Sequence, residues 1–350
     1  MVGPSREAKA TGGPPYNYSI LLHNNGSEVL LRALATRPWW RATPAGQAWH
    51  LWWSCTPFDW STFPSASVPH RQLTNRCKGN AHLVNKDLLA VMLRRYAKAA
   101  KLDAKAVPLL PPTFVCSIQL VESGKELRED FELKRFRDAA LALKERGTGG
   151  MWIVKSPPLN RGRGIFIFQN ARAVENWLLQ RGKAKKPQKT WVVQKYLELP
   201  LLLAGRKFDI RLLVLVTPDR RVFMYRDSYV RTASGVYDPS NTDDQALHLV
   251  NDAVQSKGEE YGKFEDCNKL SFDEFQEALN AQPLPDGRIL NVAADLWPAM
   301  RDAVGHIFCS ALSQHFPPAP PGGSMFELYG VDVRRCCFRT PNPCLPSPYA

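Results

Sequence analysis

Three stretches of the chain carry side chains able to handle a charged ligand. The first is Trp152–Ile153–Val154–Lys155, followed by Arg161–Gly162–Arg163–Gly164–Ile165. A lysine at the end of an apolar run holds a phosphate as a point charge. Glycines let backbone N–H groups approach phosphate oxygens closely. The closing Gly-Lys-Ser/Thr of a P-loop is missing. Taken alone, this Gly-x-Gly reads better as a plain hairpin turn. The second stretch is Val193–Gln194–Lys195–Tyr196–Leu197, with Lys207–Phe208–Asp209–Ile210–Arg211 after it. On a strand, Lys207, Asp209 and Arg211 share one face. Three charges on one face of an otherwise apolar strand are costly unless paired or facing a ligand. Pairing among themselves leaves one cation over, which favours a ligand site. The third comprises Tyr225–Arg226–Asp227, Arg231 and His248–Leu249–Val250–Asn251. Arg226 ends a strand expected to pair with the Ile210 strand, which would bring it near the Lys207–Asp209–Arg211 face. Singly, these residues read as a surface arginine and a satisfied histidine.

The elements that must position them follow from pattern. Strands are expected over Tyr18–Leu22, Met151–Val154, Gly164–Phe168, Trp191–Gln194, Ile210–Val216 and Arg221–Tyr225, with a turn at Thr217–Pro218–Asp219. Asn24–Asn25–Gly26 signals another turn, and Ser27 opens a short helix. Asn85 is placed to cap a helix from Lys86 to Tyr96, and Phe131–Glu145 reads as a charged helix. From the Asp286–Gly287 turn, Leu290, Ala293, Leu296, Met300, Val304, Ile307 and Leu312 recur at helical spacing, which predicts a core-facing helix. Strands broken by short turns and flanked by helices argue for α+β layers. The expected organisation is a tail over 1–15, a small N-terminal α/β domain over 16–80, a central domain over 81–197, a C-terminal domain over 198–333 and an atypical tail over 334–350.

Composition narrows the function classes. With 350 residues, 44% hydrophobic and 23% charged, the chain can bury a core without staples. No apolar run approaches the ~20 residues that a membrane helix needs, so no membrane association is expected. The first residues have no apolar secretory segment. The eight cysteines are scattered without metal-ligand spacing, which fits free thiols in a reducing compartment. The net charge of +13 favours an acidic partner. Nucleic acid, an acidic protein segment or merely a solvated basic surface would each account for it. No RNA- or DNA-binding motif supports the first.

The order of motifs resembles the tubulin–tyrosine ligase family, whose catalytic half has an ATP-grasp fold. The resemblance runs from about Tyr18 to Val333 and rests on Trp152–Lys155 with Gly162–Ile165, Gln194–Leu197 and Arg206–Arg211. Tyr225–Arg226, Arg231–Thr232, His248–Asn251 and Phe326–Asp332 follow in the same order. It implies an ATP- and Mg²⁺-dependent ligase, a monomer, that joins a free amino acid to the glutamate-rich C-terminal tail of tubulin through an acylphosphate. A cytoplasmic, cytoskeletal setting on microtubules or in cilia or flagella goes with that. By similarity, Lys86 and Lys155 would contact nucleotide phosphates beside Gly162 and Gly164. Gln194, Lys195, Tyr196 and Leu197 would line adenine, and Lys207 and Asp209 would sit by phosphates and ribose. Arg211 and Arg226 would hold the reacting carboxylates, with His248 and Asn251 beside nucleotide and acceptor. Val250 replaces a frequent Thr. The segments Asp227–Thr232 and Tyr261–Glu265 look closer to tyrosine-adding members. Arg163 and Asn342–Leu345 look closer to glutamate- or glycine-adding ones. Tyrosine is the expected amino acid.

One departure is serious. The family binds Mg²⁺ through an Asp, here Asp332, and a following Glu-x-Asn. Aligning on Asn342–Pro343–Cys344–Leu345 places Phe338 and Thr340 at the Glu and Asn positions. Either the metal ligands are lost or a short coding piece is missing from the sequence; good matches on both sides favour the second. As written, the chain is expected to have weak or absent ligase activity. The competing expectation is a catalytically inactive tubulin- or microtubule-binding relative.

Overall fold

The computed structural model describes residues 16–21, 27–44, 47–55, 58–65, 71–102, 109–121, 123, 125–147, 150–185, 188–335 and 344–347. The expected Asn24–Asn25–Gly26 turn and the Phe338 and Thr340 positions lie outside them. In chain order the elements are β1 (Tyr16–Ile20), α1 (Ser27–Ala35), β2 (Trp40–Ala42), β3 (Leu51–Trp53), β4 (Gln72–Thr74), α2 (Ala81–Val84) and α3 (Lys86–Ala99). Next come β5 (Thr113–Ser117), α4 (Phe131–Glu145), β6 (Trp152–Lys155), β7 (Ile165–Phe168), α5 (Ala171–Gly182) and β8 (Thr190–Lys195). β9 (Leu202–Leu203), β10 (Arg206–Val216), β11 (Val222–Met224), β12 (Tyr229–Val236), α6 (Gln245–His248), α7 (Asp252–Gln255) and β13 (Lys269–Ser271) follow. The chain continues through α8 (Phe272–Asn280), α9 (Trp297–Gln314), β14 (Gly323–Met325), β15 (Glu327–Arg335) and β16 (Cys344–Ser347). The architecture is mixed α/β with several sheets.

Two compact units result. One gathers described residues up to Lys78 with Val216–Arg221 and Phe316–Leu328. Its sheet runs β14-β4-β3-β1-β2, and every neighbouring pair is parallel. The Trp-rich stretch from Trp39 to Trp60 supplies β2 and β3 of this sheet and part of an aromatic cluster: Trp49 stacks on Phe63 at 5.9 Å, and Phe58 meets Trp60 edge-on at 4.8 Å. Such pairs add to plain area burial.

The second unit, Gly79–Leu215, Val222–His315 and Tyr329 onward, carries the chemistry-bearing segments. Its first sheet runs β5-β8-β6-β7 with antiparallel neighbours. Alternation along β6 and β8 explains its two faces. Trp152, Val154, Trp191 and Val193 enter one core with Phe136 of α4 and Val174 and Leu178 of α5. Ile153 and Tyr196 join a second cluster on the other face, with Met151, Ile165 and Leu249. Asp130 and Asn170 cap α4 and α5 by accepting from Leu133 and Ala173 N–H, which satisfies otherwise orphaned donors. Asn85 stands at the N-cap of α3 as expected, but its side chain makes no capping bond.

The second sheet runs β13-β12-β10-β15-β16, with β9 and β11 also on β10. β10 begins at Arg206, four residues before the expected Ile210 start. Its charges do not break the strand because neighbouring strands pair them. The side chains at Phe208, Ile210, Leu212 and Val214 are buried, and Phe208 meets Phe275 of α8 at 5.2 Å. Lys207, Asp209 and Arg211 take the opposite face. The Thr217 turn closes as expected, with Thr217 N–H donating to Arg221 O at 2.9 Å. The expected single helix after Asp286 is interrupted. A π-helical turn spans Val292–Leu296, and α9 starts afresh at Trp297 with Pro298 in its first turn. That turn shifts the register, so Ala293 is exposed while Leu290 and Leu296 stay buried.

Candidate functional site

Five elements, α3, β6, β10, β12 and β15, bring the charged residues together in the second unit. Lys155 ends β6 on the Ile153 face, where its Nζ donates to Gln194 Oε1 at 2.7 Å. Gln194 Nε2 donates in turn to Thr113 Oγ1 at 2.8 Å. Lys155 is 4% exposed, and burial, then Arg334 and Lys86, hold its pKa well below the ordinary value. Lys86 opens α3 and reaches the carbonyls of Pro157 and Leu159 in the Gly loop. Burial pushes its pKa down to about 8.

The Gly loop is a fixed turn between β6 and β7. Gly162 and Gly164 adopt φ of +77° and +64°. A Cβ at Gly162 would lie 2.4 Å from Val254 Cγ2, and one at Gly164 would lie 2.8 Å from Ser156 Cβ. Both positions therefore need glycine for backbone and for space. Asn251 stands beside the loop, with Oδ1 at 3.9 Å from the Gly162 Cβ position. Arg163 is exposed and donates to Asn160 Oδ1 at 3.0 Å.

Lys207 sits above two tyrosines. Its Nζ lies 4.1 Å from the Tyr196 ring centroid and 4.8 Å from that of Tyr237, and it donates to the Tyr196 hydroxyl. The Asn241 carbonyl, an acceptor only, faces His248 Nε2 at 2.8 Å. Nε2 therefore carries the proton, and Nδ1 accepts from the Tyr196 hydroxyl at 2.5 Å. Burial holds the His248 pKa below its ordinary value, consistent with this neutral tautomer. The Lys207 pKa is also held well down, by burial first and then by Arg334 and Lys155. Lys195 points elsewhere, to Glu198 and the Met151 carbonyl, and Leu197 is half-buried.

The carboxylates are engaged by arginines. Asp209 Oδ1 and Oδ2 accept from Arg231 Nε and Nη2, both at 2.8 Å. Asp332 on β15 accepts from Arg211 Nε and Nη2, and Arg231 Nη2 approaches its Oδ2 at 2.7 Å. Arg334 Nη2 lies 3.7 Å from Asp209 Oδ2. Asp209 and Arg211 thus pair across strands and not with each other, and Asp209 and Arg231 stand opposite each other in the β10–β12 ladder. Burial and Asp209 push the Asp332 pKa up, while Arg231 and Arg211 oppose that. Mg²⁺ demands several hard oxygens in near-ideal geometry. Residues 333–350 contain no Asp or Glu. Among the described residues no group of three or more His, Cys, Asp or Glu is arranged to hold a metal. With the oxygens of Asp209 and Asp332 already given to guanidinium groups, these residues do not fit a magnesium ion.

Arg226 is not in this cluster. β11 does pair with β10, but Arg226 follows the end of β11, is exposed and lines a surface cavity of about 930 Å³ with Asp227, Asp266, Lys269, Asp273 and Glu274. The expectation that it lies near the Lys207–Asp209–Arg211 face fails because the chain turns outward at Tyr225, also exposed. Two cluster residues escaped the site list drawn from sequence. Arg231 is the charged residue in a strand of otherwise uncharged side chains, a signal of the same kind as Lys207–Asp209–Arg211. Arg334, assigned to the tail, has no comparable local signal, and only the pairing of strands places it here.

Comparison with known proteins places the chain among relatives. The sequence model of the tubulin-tyrosine ligase family matches residues 65–341. Probable tubulin polyglutamylase TTLL9 of Bos taurus is 24% identical over 370 residues, covering 95% of this chain and 72% of that protein. Tubulin monoglycylase TTLL3 of Homo sapiens is 32% identical over 228 residues, covering 61% of this chain and 28% of that protein. Probable tubulin polyglutamylase TTLL2 of Mus musculus is 27% identical over 293 residues, covering 81% of this chain and 47% of that protein. The chain belongs to the tubulin-tyrosine ligase family.

Proposed function

We propose that the second unit is an ATP-grasp-type site that binds ATP and serves ligation of an amino acid to the acidic C-terminal tail of tubulin. One observation carries this reading. Arg211, Arg231 and Arg334 meet two carboxylates, Asp209 and Asp332, and the buried Lys155 and Lys207 lie within electrostatic reach of Arg334, so that cations outnumber carboxylates among the described residues here. Buried cations without enough counter-charge are costly. A polyphosphate in this place would supply the missing negative charge, as in phosphoryl-transfer sites that work by positioning and neutralisation. In the ligation, a carboxylate oxygen attacks the γ-phosphorus of ATP and ADP leaves. The amine then attacks the acyl carbon and phosphate leaves. Within this chain Lys155 and Lys207 would hold phosphates, and Gln194 to Leu197 would line the base. Arg211 would orient a carboxylate once its hold on Asp332 loosens. Family relatives named as polyglutamylases and a monoglycylase support glutamate or glycine beside the tyrosine expected from local segments.

The test is incorporation of labelled glutamate, glycine or tyrosine into tubulin with ATP, alongside ATP binding by calorimetry. The expected result is ATP binding that Lys155→Met abolishes, with incorporation slow relative to an intact family member. Failure to bind ATP under any condition sinks the nucleotide reading. A second reading has its own support, the capture of Asp209 and Asp332 by arginines: a binding-only relative that holds tubulin tails without ligating them. Tail-peptide binding with no incorporation of any amino acid would select it.

A further inference from the structure

Arg334 is surplus to the ion pairs that surround it. It lies two residues beyond Asp332 on β15, so both side chains leave the same face. Its side chain is 17% exposed, and its nearest carboxylate contact is Asp209 Oδ2 at 3.7 Å. That oxygen already accepts from Arg231 at 2.8 Å. Arg334 Nε is buried and has no hydrogen-bond partner among the described residues. A buried guanidinium with an unmatched donor is costly, and its planar fork suits phosphate oxygens. Its electrostatic influence reaches both Lys155 and Lys207, the two lysines proposed above to hold phosphates. Among the described residues, the two carboxylates of the same site, Asp209 and Asp332, are already held by arginines and leave a divalent cation few free oxygens.

We infer that this site takes a nucleoside triphosphate free of divalent cation, with Arg334 supplying positive charge that a metal ion would otherwise bring to the phosphates. This rests on the nucleotide reading above and adds to it a ligand form and a residue. It turns the mismatch between the site and magnesium into a property of the ligand. A metal would have to displace Arg211 or Arg231 from Asp332. A free triphosphate instead meets donors already present.

Titration of the full chain with ATP in excess EDTA and again in excess MgCl₂ tests it. The expected result is a Kd in EDTA equal to or tighter than that in Mg²⁺. Arg334→Ala should weaken binding in EDTA by roughly tenfold or more, and Arg334→Lys by less, as expected when a charge-assisted contact is lost or reduced. Binding that appears only with Mg²⁺, or tightens tenfold with it, overturns the inference and leaves the nucleotide reading standing. Unchanged binding by folded Arg334→Ala overturns the role of Arg334. No binding in either buffer overturns the nucleotide reading and this inference with it. Should the variants misfold, the wild-type comparison between the two buffers still decides.

Discussion

Lys86 shows how one buried charge links stability to ligand. Its pKa in the folded chain, about 8, lies below lysine's ordinary 10.5. The folded state therefore carries a penalty while the ammonium is charged, and the penalty lifts as pH rises from about 8 towards the unfolded value. Wild type should gain in urea stability relative to Lys86→Met across that window, the opposite slope contradicting the assignment. On the proposed nucleotide reading, ATP would bind the charged form. Its affinity should fall as pH climbs above about 8, by up to about tenfold per unit if one proton is taken up on binding. Arg231 is the complementary case. Among the described residues it is the one that bonds both Asp209 and Asp332. Arg231→Ala would strip the buried Asp209 of its bidentate partner while Arg211 still holds Asp332, at a cost of about 3–5 kcal/mol for breaking a buried pair. Chemical denaturation of that variant checks it, and a loss below 1 kcal/mol would show the network to be dispensable.

At the scale of elements, the β6–β7 loop and the two facing sheets do the positioning. Gly162 combines a left-handed backbone with a Cβ position against Val254 of α7. Gly162→Ala should cost about 1–2 kcal/mol from backbone strain alone, and more from the clash. Val254→Ala in that background should recover only the clash component, so a partial rescue is expected in thermal unfolding. Complete rescue would mean that the positive φ carries no cost. Period-two alternation explains why Lys155, Gln194 and Tyr196 emerge on one side of the first sheet while Trp152, Trp191 and Val193 fill the core on the other. That much was legible in the sequence. The strands at Met151, Gly164, Trp191 and Arg221 were readable to within a residue or two, because apolar runs bounded by turn residues are short-range signals. The π turn before α9 was not, because the helical spacing of Leu290 to Leu312 reads through it.

For the whole molecule the excess of positive charge is the dominant feature. A chain of net charge +13 should meet a glutamate-rich tail peptide with a strong ionic-strength dependence, since exposed charges are screened beyond about 8 Å at physiological salt. Affinity for such a peptide is expected to drop roughly tenfold between 50 and 300 mM salt, mainly through slower association. A salt-independent affinity, measured by fluorescence anisotropy, would move recognition to apolar contacts. The surface cavity beside Arg226 is a poor place for that tail. Asp227, Asp266, Asp273 and Glu274 line it against Arg226 and Lys269, so acidic residues outnumber basic ones there.

By itself the sequence determined the classes of residue available, the order of the motifs and hence the family, because those are properties of types and spacing along the chain. It also showed that residues 333–350 hold no Asp or Glu side chain. The tertiary structure decided which charges meet. Arg231 faces Asp209 through strand register, Asp332 reaches Arg211 from a strand more than a hundred residues away, and Arg334 joins them because β15 lies beside β10. Arg226, two residues past the end of β11, stays outside. Side chains on neighbouring strands meet according to sheet order and register, which long-range packing sets and local pattern does not encode.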